Sequence, residues 1–256
     1  IKIESEENGI VLTFGTVARK ALLSYTHETS LHLYKPADAT VDTLYLHINI
    51  WTDDIFRVVF SKEKKISNPF SGLPENARML IAKPEKVEFT LDETENKITL
   101  TTSKTEITVD KKTTRISAKF IDGKEFYSQK KQDFRTGDIH DLALADSDND
   151  YACFEALELE SDEIIYGLGE RFDSLTRNGR TVDFHNKDAV GTTSRRAYIN
   201  IPFYLSTKGY GLFLNSGAKT DWQIATTDLS ALQFAVLDSQ LDYFVIGGKT
   251  PKDIIK

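Results

Sequence analysis

Cysteine is nearly missing from this chain: Cys153, in "YACFEALEL", is the only one in 256 residues. A lone cysteine closes no intramolecular disulfide, so burial and hydrogen bonding have to hold the fold. The same usage fits a reducing compartment, and the expected location is cytoplasmic. Apolar and aromatic neighbours mark Cys153 as a small buried hydrophobe rather than a reactive thiol. Long apolar runs are missing too. None approaches the roughly 18 residues of a spanning helix, so no membrane segment is expected. Basic charge is in deficit, with 32 Lys and Arg against 39 Asp and Glu and a net charge of −7. The cations are scattered rather than striped, which excludes a nucleic-acid backbone as partner. The five histidines, His27, His32, His47, His140 and His185, show neither HxH nor HxxxH spacing. No metal or other cofactor is therefore expected. GxSxG, the mark of a nucleophile elbow, does not occur. "YGLGERF" has two glycines after a strand, but no third glycine and no helix pattern follow, so it is no dinucleotide fingerprint.

What is present is strand signal. Hydrophobic residues make up 40% and charged residues 28%, a globular composition. In "TLYLHINIWTDDIFRVVFS", Leu44, Leu46, Ile48 and Ile50 share one face and Tyr45, His47 and Asn49 the other. Asp53 and Asp54 make a turn, and Ile55 to Phe60 form the next strand. "KVEFTLDETENKITLTT" reads as a hairpin around "DETEN", and "TEITVDKKTTRISAKFIDGKEFYS" as strands around "DKKT" and "DG". "QFAVLDSQLDYFVIGG" supplies two more, while "LSALQFAV" is too short to argue for a helix. The charged stretch from Arg135 to Tyr151 reads as loop. Strands at roughly ten-residue spacing with turn signals between them indicate one large all-β, two-sheet antiparallel β-sandwich.

One segment breaks the pattern. "GERFDSLTRNGRTVDFHNKDAVGTTSRRAYINIPFY" runs from Gly169 to Tyr204 with little strand alternation before "IPFYLS" restores it. A structureless loop of this length in a compact domain is usually functional or disordered. With 39 acidic residues, no carboxylate pair is informative by abundance. Asp173, Asp183, Asp188 and Glu170 stand out because they lie in or beside this loop. Phe172, Phe184, Tyr198, Phe203 and Tyr204 flank it. Aromatic faces suit the C–H faces of sugar rings, and carboxylates and arginines bind sugar hydroxyls. Phe203 and Tyr204 also read as core residues of the following strand. Gly167 and Gly169 let a strand bend sharply before the loop. Pro202 sets a strand start, and Lys208 and Gly209 make the hairpin turn between "PFYLS" and "YGLFLN".

The stretch "IIYGLGERFDSLTRNGRTVDFHNKDAVGTTSRRAYINIPFYLSTKGYGLFLNS" resembles the N-terminal domain signature of glycoside hydrolase family 31, particularly its bacterial α-xylosidase branch. "YGLGERF", the N-x-D loop Asn186 to Asp188, and "Y-x-N-IPFY-x-S-x-x-GYGLF-x-N" carry the likeness. "DYFVIGGKTPKDII" resembles the strand and helix that lead into the family's catalytic barrel. The likeness covers residues 164 to 256 specifically, and residues 1 to 163 in pattern only. It implies a fold similar to galactose mutarotase, a supersandwich, over 1–245, with a substrate-facing loop at 173–197. It implies that 246–256 begins the linker or helix toward a (β/α)8 barrel absent from this chain. Family members are retaining α-glycosidases whose two catalytic aspartates lie in that barrel, so no catalytic residue is expected here. By resemblance, Asp188 accepts hydrogen bonds from sugar hydroxyls on the leaving-group side, with Asn186, Lys187 and His185 as further substrate-binding candidates. Glu170 and Arg171 are expected to support the loop stem. The xylosidase branch often has an aromatic residue where His185 stands, and "AVGTTSRR" differs from the usual filling, both of which bear on leaving-group preference.

The expected function is thus the front domain of an α-xylosidase or α-glucosidase, silent when isolated. Its partners would be its own barrel and an α-linked xylosyl or glucosyl oligosaccharide, with a homo-oligomer left open. An autonomous carbohydrate-binding module of mutarotase-like fold is the alternative, and an aldose mutarotase using His47 a third reading. At the end of the chain, Thr250, Pro251 and Asp253 read as N-cap, first position and first turn of a helix too short to stand alone. Both ends are therefore expected to have been cut from a longer polypeptide. A surface left by a missing barrel should be apolar near the loop stem and the last strand.

Overall fold

A computed structural model describes residues 1–19, 22–26, 30–34, 39–68, 70, 72–74, 78–130, 143–145, 150–184 and 197–256. A strand whose side chains alternate apolar and polar has one face to bury, and it can bury it only against a second layer. The first layer is an eight-stranded antiparallel sheet. Its order is β1 (Lys2–Glu6), β2 (Gly9–Arg19), β5 (Ala39–Thr52), β6 (Ile55–Ser61), β20 (Gln240–Gly247), β17 (Tyr210–Leu214), β16 (Phe203–Ser206) and β14 (Ile165–Gly167). Leu44, Leu46, Ile48 and Ile50 of β5 all lie in the core, as their alternation predicts. Asp53 and Asp54 form the turn into β6.

Two five-stranded antiparallel sheets build the second layer. One is a meander of β7 (Thr90–Glu93), β8 (Lys97–Thr101), β9 (Thr105–Asp110), β10 (Ile116–Phe120) and β11 (Glu125–Ser128). The other runs β12 (Ala143–Ala145), β13 (Asp150–Glu158), β19 (Ala231–Val236), β18 (Thr220–Ile224) and β15 (Arg180–Phe184). They meet where Gln129 bridges Leu157 and the Lys130 N–H donates to the Ala156 carbonyl at 2.8 Å. A ribbon of β3 (Leu22–Thr26) and β4 (Ser30–Tyr34) stands apart in pairing. A single short helix, α1 (Pro251–Ile255), is present among the described residues. None of these elements is a helix long and apolar enough to cross a membrane.

The two-sheet reading therefore holds, with three refinements. "LSALQFAV" is strand: it contains β19. The 135–151 stretch, expected as loop, contributes β12 and the start of β13, and its other residues up to 149 lie outside the described residues. The 173–197 segment is not loop throughout either. Arg180–Phe184 pairs along β18 from Arg180↔Ile224 to Phe184↔Thr220. An edge strand needs one paired side and little apolar content, so only Val182 shows full burial there.

Large aromatics span the gap between layers. Trp222 stacks on Phe234 at 4.4 Å and meets Tyr204 edge-on at 6.0 Å. Its indole N–H donates to Thr220 Oγ1 at 3.0 Å, so the ring is buried without an orphaned donor. A polar knot sits among them. Glu155 Oε2 accepts from Gln129 Nε2 (2.7 Å) and Tyr243 OH (2.8 Å), and Oε1 accepts from the Ala156 N–H (2.9 Å). Tyr127 OH closes on Tyr243 OH at 2.8 Å. Desolvation outweighs these bonds and pushes the Glu155 carboxyl up to about 7. Cys153 is fully buried nearby and its burial raises the thiol, which makes it the inert hydrophobe its neighbours suggest.

Candidate functional site

The segment from Ile165 to Ile201 is built on a turn that few sequences can make. Gly167, Leu168 and Gly169 follow one another at φ of 115°, 60° and 85°. Left-handed backbone favours glycine, and here space demands it as well. A Cβ on Gly167 would stand 2.6 Å from the Phe203 carbonyl oxygen, and one on Gly169 only 2.2 Å from that of Ile199. The chain has to come this close because the turn is laced to the returning strand. The Leu168 N–H donates to Phe203 O at 2.9 Å, and the Glu170 N–H to Ile199 O at 3.0 Å. The two ends of the segment are thereby fixed against each other before any side chain acts.

Two arginines tighten this stem. Arg171 Nε donates to Leu168 O at 3.3 Å, its Nη2 donates to Asn200 Oδ1, and its guanidinium lies 5.5 Å over the Phe184 ring. It thus touches the outgoing stem, the returning stem and β15. Burial, then the neighbouring Arg177 charge, pulls its guanidinium down to about 10. Arg177 is 4% exposed. Its Nη1 pairs with Asp173 Oδ1 at 2.5 Å, and it also donates to main-chain carbonyls of the turn. Sequence reasoning passed over Arg177, one of several arginines in a polar run, because its burial comes from the turn folding back over it.

The other expected site residues divide. Glu170 is exposed and joins the stem through its backbone. Asp173 belongs to the Arg177 pair. Asp183 stands directly opposite Asp221 across β15 and β18. His185, Asn186, Lys187 and Asp188 lie outside the described residues. Of the aromatics, Tyr204 is wholly buried and Phe203 half-buried on the opposite face of β16; Phe184 packs on Trp222, while Phe172 and Tyr198 are exposed. Leu175, Ile199 and Ile201 are exposed beside them. These exposed apolar side chains all lie in the two stretches that flank the loop stem. The last strand does not share this exposure, because β20 is buried along almost its whole length between β6 and β17.

Below the stem, Glu163 is buried. Ser206 Oγ donates to its Oε1 and the Glu160 N–H to its Oε2 at 3.2 Å. Desolvation pushes this carboxyl up to about 7. Asn178 ties the same corner, accepting from the Ile165 N–H at 2.9 Å and donating to Glu163 O at 2.8 Å.

His47 is not a usable acid or base. It is 2% exposed, with Nδ1 3.2 Å from Glu6 Oε1, so no sugar reaches it and the mutarotase reading loses its one candidate. Among the described residues no three His, Cys, Asp or Glu side chains are grouped to hold a metal ion. At the chain's end, Thr250 Oγ1 accepts from the Asp253 N–H and Asp253 accepts from the Thr250 N–H, a full capping box at the head of α1.

The family model described as the glycosyl hydrolase 31 N-terminal galactose mutarotase-like domain matches residues 45–222. The chain is 44% identical over 101 residues to alpha-xylosidase XylQ of Lactiplantibacillus pentosus, covering 40% of this chain and 13% of that protein. It is 26% identical over 224 residues to alpha-glucosidase 2 of Bacillus thermoamyloliquefaciens, covering 84% of this chain and 26% of that protein. It superposes on a GH31 alpha-xylosidase from a soil metagenome, solved with xylose, at a TM-score of 0.67 and 17% identity, covering 98% of this chain and 33% of that one. At that identity the superposition shows the fold. The chain matches only a small part of the length of these relatives.

Proposed function

Because this chain belongs to the glycoside hydrolase 31 N-terminal, galactose mutarotase-like domain family, we propose that it is the sandwich domain of a retaining α-glycosidase acting on α-xylosides or α-glucosides. The observation that carries this reading is the 44% identity to an alpha-xylosidase over 101 residues. The chemistry is a double displacement between two carboxyl groups roughly 5 Å apart. We assign both to a (β/α)8 barrel and neither to this chain. The domain's own contribution is a held segment. The stem at 167–171 and 198–201 is fixed by backbone bonds and by Arg171, so 173–197 leaves it from a rigid base. Asp188 then accepts hydrogen bonds from hydroxyls of the leaving-group sugar, with Asn186, Lys187 and His185 beside it. Phe172, Leu175, Tyr198, Ile199 and Ile201 face the barrel, which removes their apolar surface from water.

The test has two parts. In the complete enzyme, Asp188→Ala is expected to raise KM for an α-xylosyl-glucose disaccharide by roughly tenfold, the loss of about one charge-assisted hydrogen bond. The chain alone is expected to release no aryl alcohol from an aryl α-xyloside. It should also give no binding heat with xylose at millimolar concentration, since half a pocket leaves most of the sugar wet. Turnover by the isolated chain would overthrow the assignment, and tight sugar binding without turnover would favour an autonomous binding module.

A further inference from the structure

The buried arginine under the turn has no part in the reaction as just described, yet its contacts are unusually complete. Three consecutive left-handed residues rotate their carbonyls out of the strand ladder, and such carbonyls need donors from elsewhere. Arg171 supplies the donor for Leu168 O, and Arg177 supplies those for Gly167 O and Gly169 O. Arg177 Nε donates to Gly167 O at 2.7 Å, Nη2 to Gly169 O at 3.4 Å and Nη1 to Ser174 O at 3.0 Å, while Nη1 also pairs with Asp173 Oδ1 at 2.5 Å. Its main chain extends the grip. The Arg177 N–H donates to Ile165 O at 2.8 Å, and its carbonyl accepts from the Arg180 N–H, at the head of β15, at 3.0 Å. One residue thus joins β14, the glycine turn, the first residues of the 173–197 segment and the strand at its middle. A planar fork of five N–H donors can meet acceptors in three directions, and a lysine ammonium cannot hold the same set in one plane.

We infer that Arg177 is a positioning residue for leaving-group recognition: it sets the direction in which the 173–197 segment leaves its stem. The inference rests on the proposed role of that segment. Arg177 touches no substrate. Its replacement loosens the segment's base, and a displacement of about 1 Å in a binding group is enough to weaken a contact by one to two orders of magnitude.

The test uses the complete enzyme and two substrates with the same xylosyl group. One is an α-xylosyl-glucose disaccharide, whose glucose presents hydroxyls to the segment. The other is α-xylosyl fluoride, whose leaving group presents none. The readout is the ratio of their kcat/KM values, taken at a temperature where circular dichroism shows each variant folded. Arg177→Lys is expected to lower the ratio, disaccharide over fluoride, about tenfold through KM for the disaccharide. Asp173→Asn, which keeps the shape and removes the carboxylate, is expected to lower it about threefold. Added guanidinium ion is expected to recover part of the ratio in Arg177→Ala. A merely structural arginine predicts parallel loss on both substrates, and that result overturns the inference, as does an unchanged ratio in Arg177→Lys and Asp173→Asn. Asp188→Ala separates this outcome from the reading beneath it. A ratio that falls in Asp188→Ala alone rejects Arg177 and leaves the segment's role standing. A ratio that falls in Arg177→Lys alone supports Arg177 and moves the sugar contact to another residue of the segment. A ratio that falls in neither rejects both.

Discussion

Urea unfolding of this chain is expected to need less denaturant at pH 8 than at pH 5, with Glu155 alone accounting for roughly 2–3 kcal/mol of the difference. The cause is burial. Glu155 is held between the layers and pushed up to about 7, from an ordinary glutamate value of 4.5, by desolvation. The folded protein therefore keeps a proton on this carboxyl over a range in which the unfolded chain has released it. Stability is complete below about pH 4.5, falls as pH rises, and has lost this contribution above about pH 7. Glu163, raised to about 7 mainly by desolvation, acts in the same window and with the same sign. Asp228 works in the opposite direction. The Lys130 ammonium holds it down to about 2, so its stabilisation disappears as pH falls from about 4 toward 2. The stability maximum should accordingly lie near pH 4 to 5 rather than at neutrality. Net charge also becomes more negative from pH 5 to 8, so the decisive measurement is a difference. Glu155→Gln carries no titrating proton and should remove the Glu155 share of the slope. It should also be weaker than wild type at pH 5. Donors reach both oxygens, from Gln129 and Tyr243 at one and from the Ala156 N–H at the other; the protonated acid still accepts at both and has a single O–H to place, whereas a carboxamide sets two N–H and no acceptor against a donor in either orientation. Equal slopes in the two proteins would remove Glu155 as the cause.

That carboxyl also shows where the sequence stops being readable. Periodicity is local, and it exposed what is local. The alternation of β5, the turn at Asp53 and Asp54, the hairpin at Lys208 and Gly209 and the Thr250 cap of α1 are all visible within a few residues of chain. Glu155, in "CFEALEL", looks like a solvated glutamate until Gln129 and Tyr243 arrive from 26 and 88 residues away. His47 sits on a strand face that alternation makes polar, and its burial comes from what covers that face. β15 was hidden for a related reason, since an edge strand of "RTVDF" owes its shape to β18 and has one buried apolar residue to show for it. The site divides in the same way. Gly167 and Gly169 announce a bend through their type, but the approach of Phe203 and Ile199 that makes them irreplaceable is tertiary. Asp188 and its neighbours came from resemblance to a family, not from periodicity, and lie outside the described residues. Arg177 gave no signal, because nothing in "LTRNGR" distinguishes an arginine that folds inward from one in water.

The approach at Gly169 yields the sharpest comparison within the molecule. Gly169→Ala is expected to destabilise the chain by about 2–5 kcal/mol, from one to two for a left-handed alanine and the rest for the collision. The new methyl would lie 2.2 Å from Ile199 O and 2.8 Å from the Ile201 N. Neither atom belongs to a side chain that can swing away. Ile199 O is already the acceptor for the Glu170 N–H, so retreat would break the bond that closes the stem. Gly123 and Gly179 provide the control. They share the left-handed backbone, at φ of 92° and 74°, but an added Cβ at either meets nothing within 4 Å. Gly123→Ala and Gly179→Ala should therefore show the conformational cost alone, about 1–2 kcal/mol. Three urea titrations decide the matter. If all three alanines cost the same, the turn has room that its geometry denies, and the stem is not the rigid base that holding a substrate-facing segment requires. If Gly169→Ala stands apart, then φ is the smaller part of why glycine occupies that position, and the tight lacing of the 167–171 turn to the returning 199–203 segment is the larger.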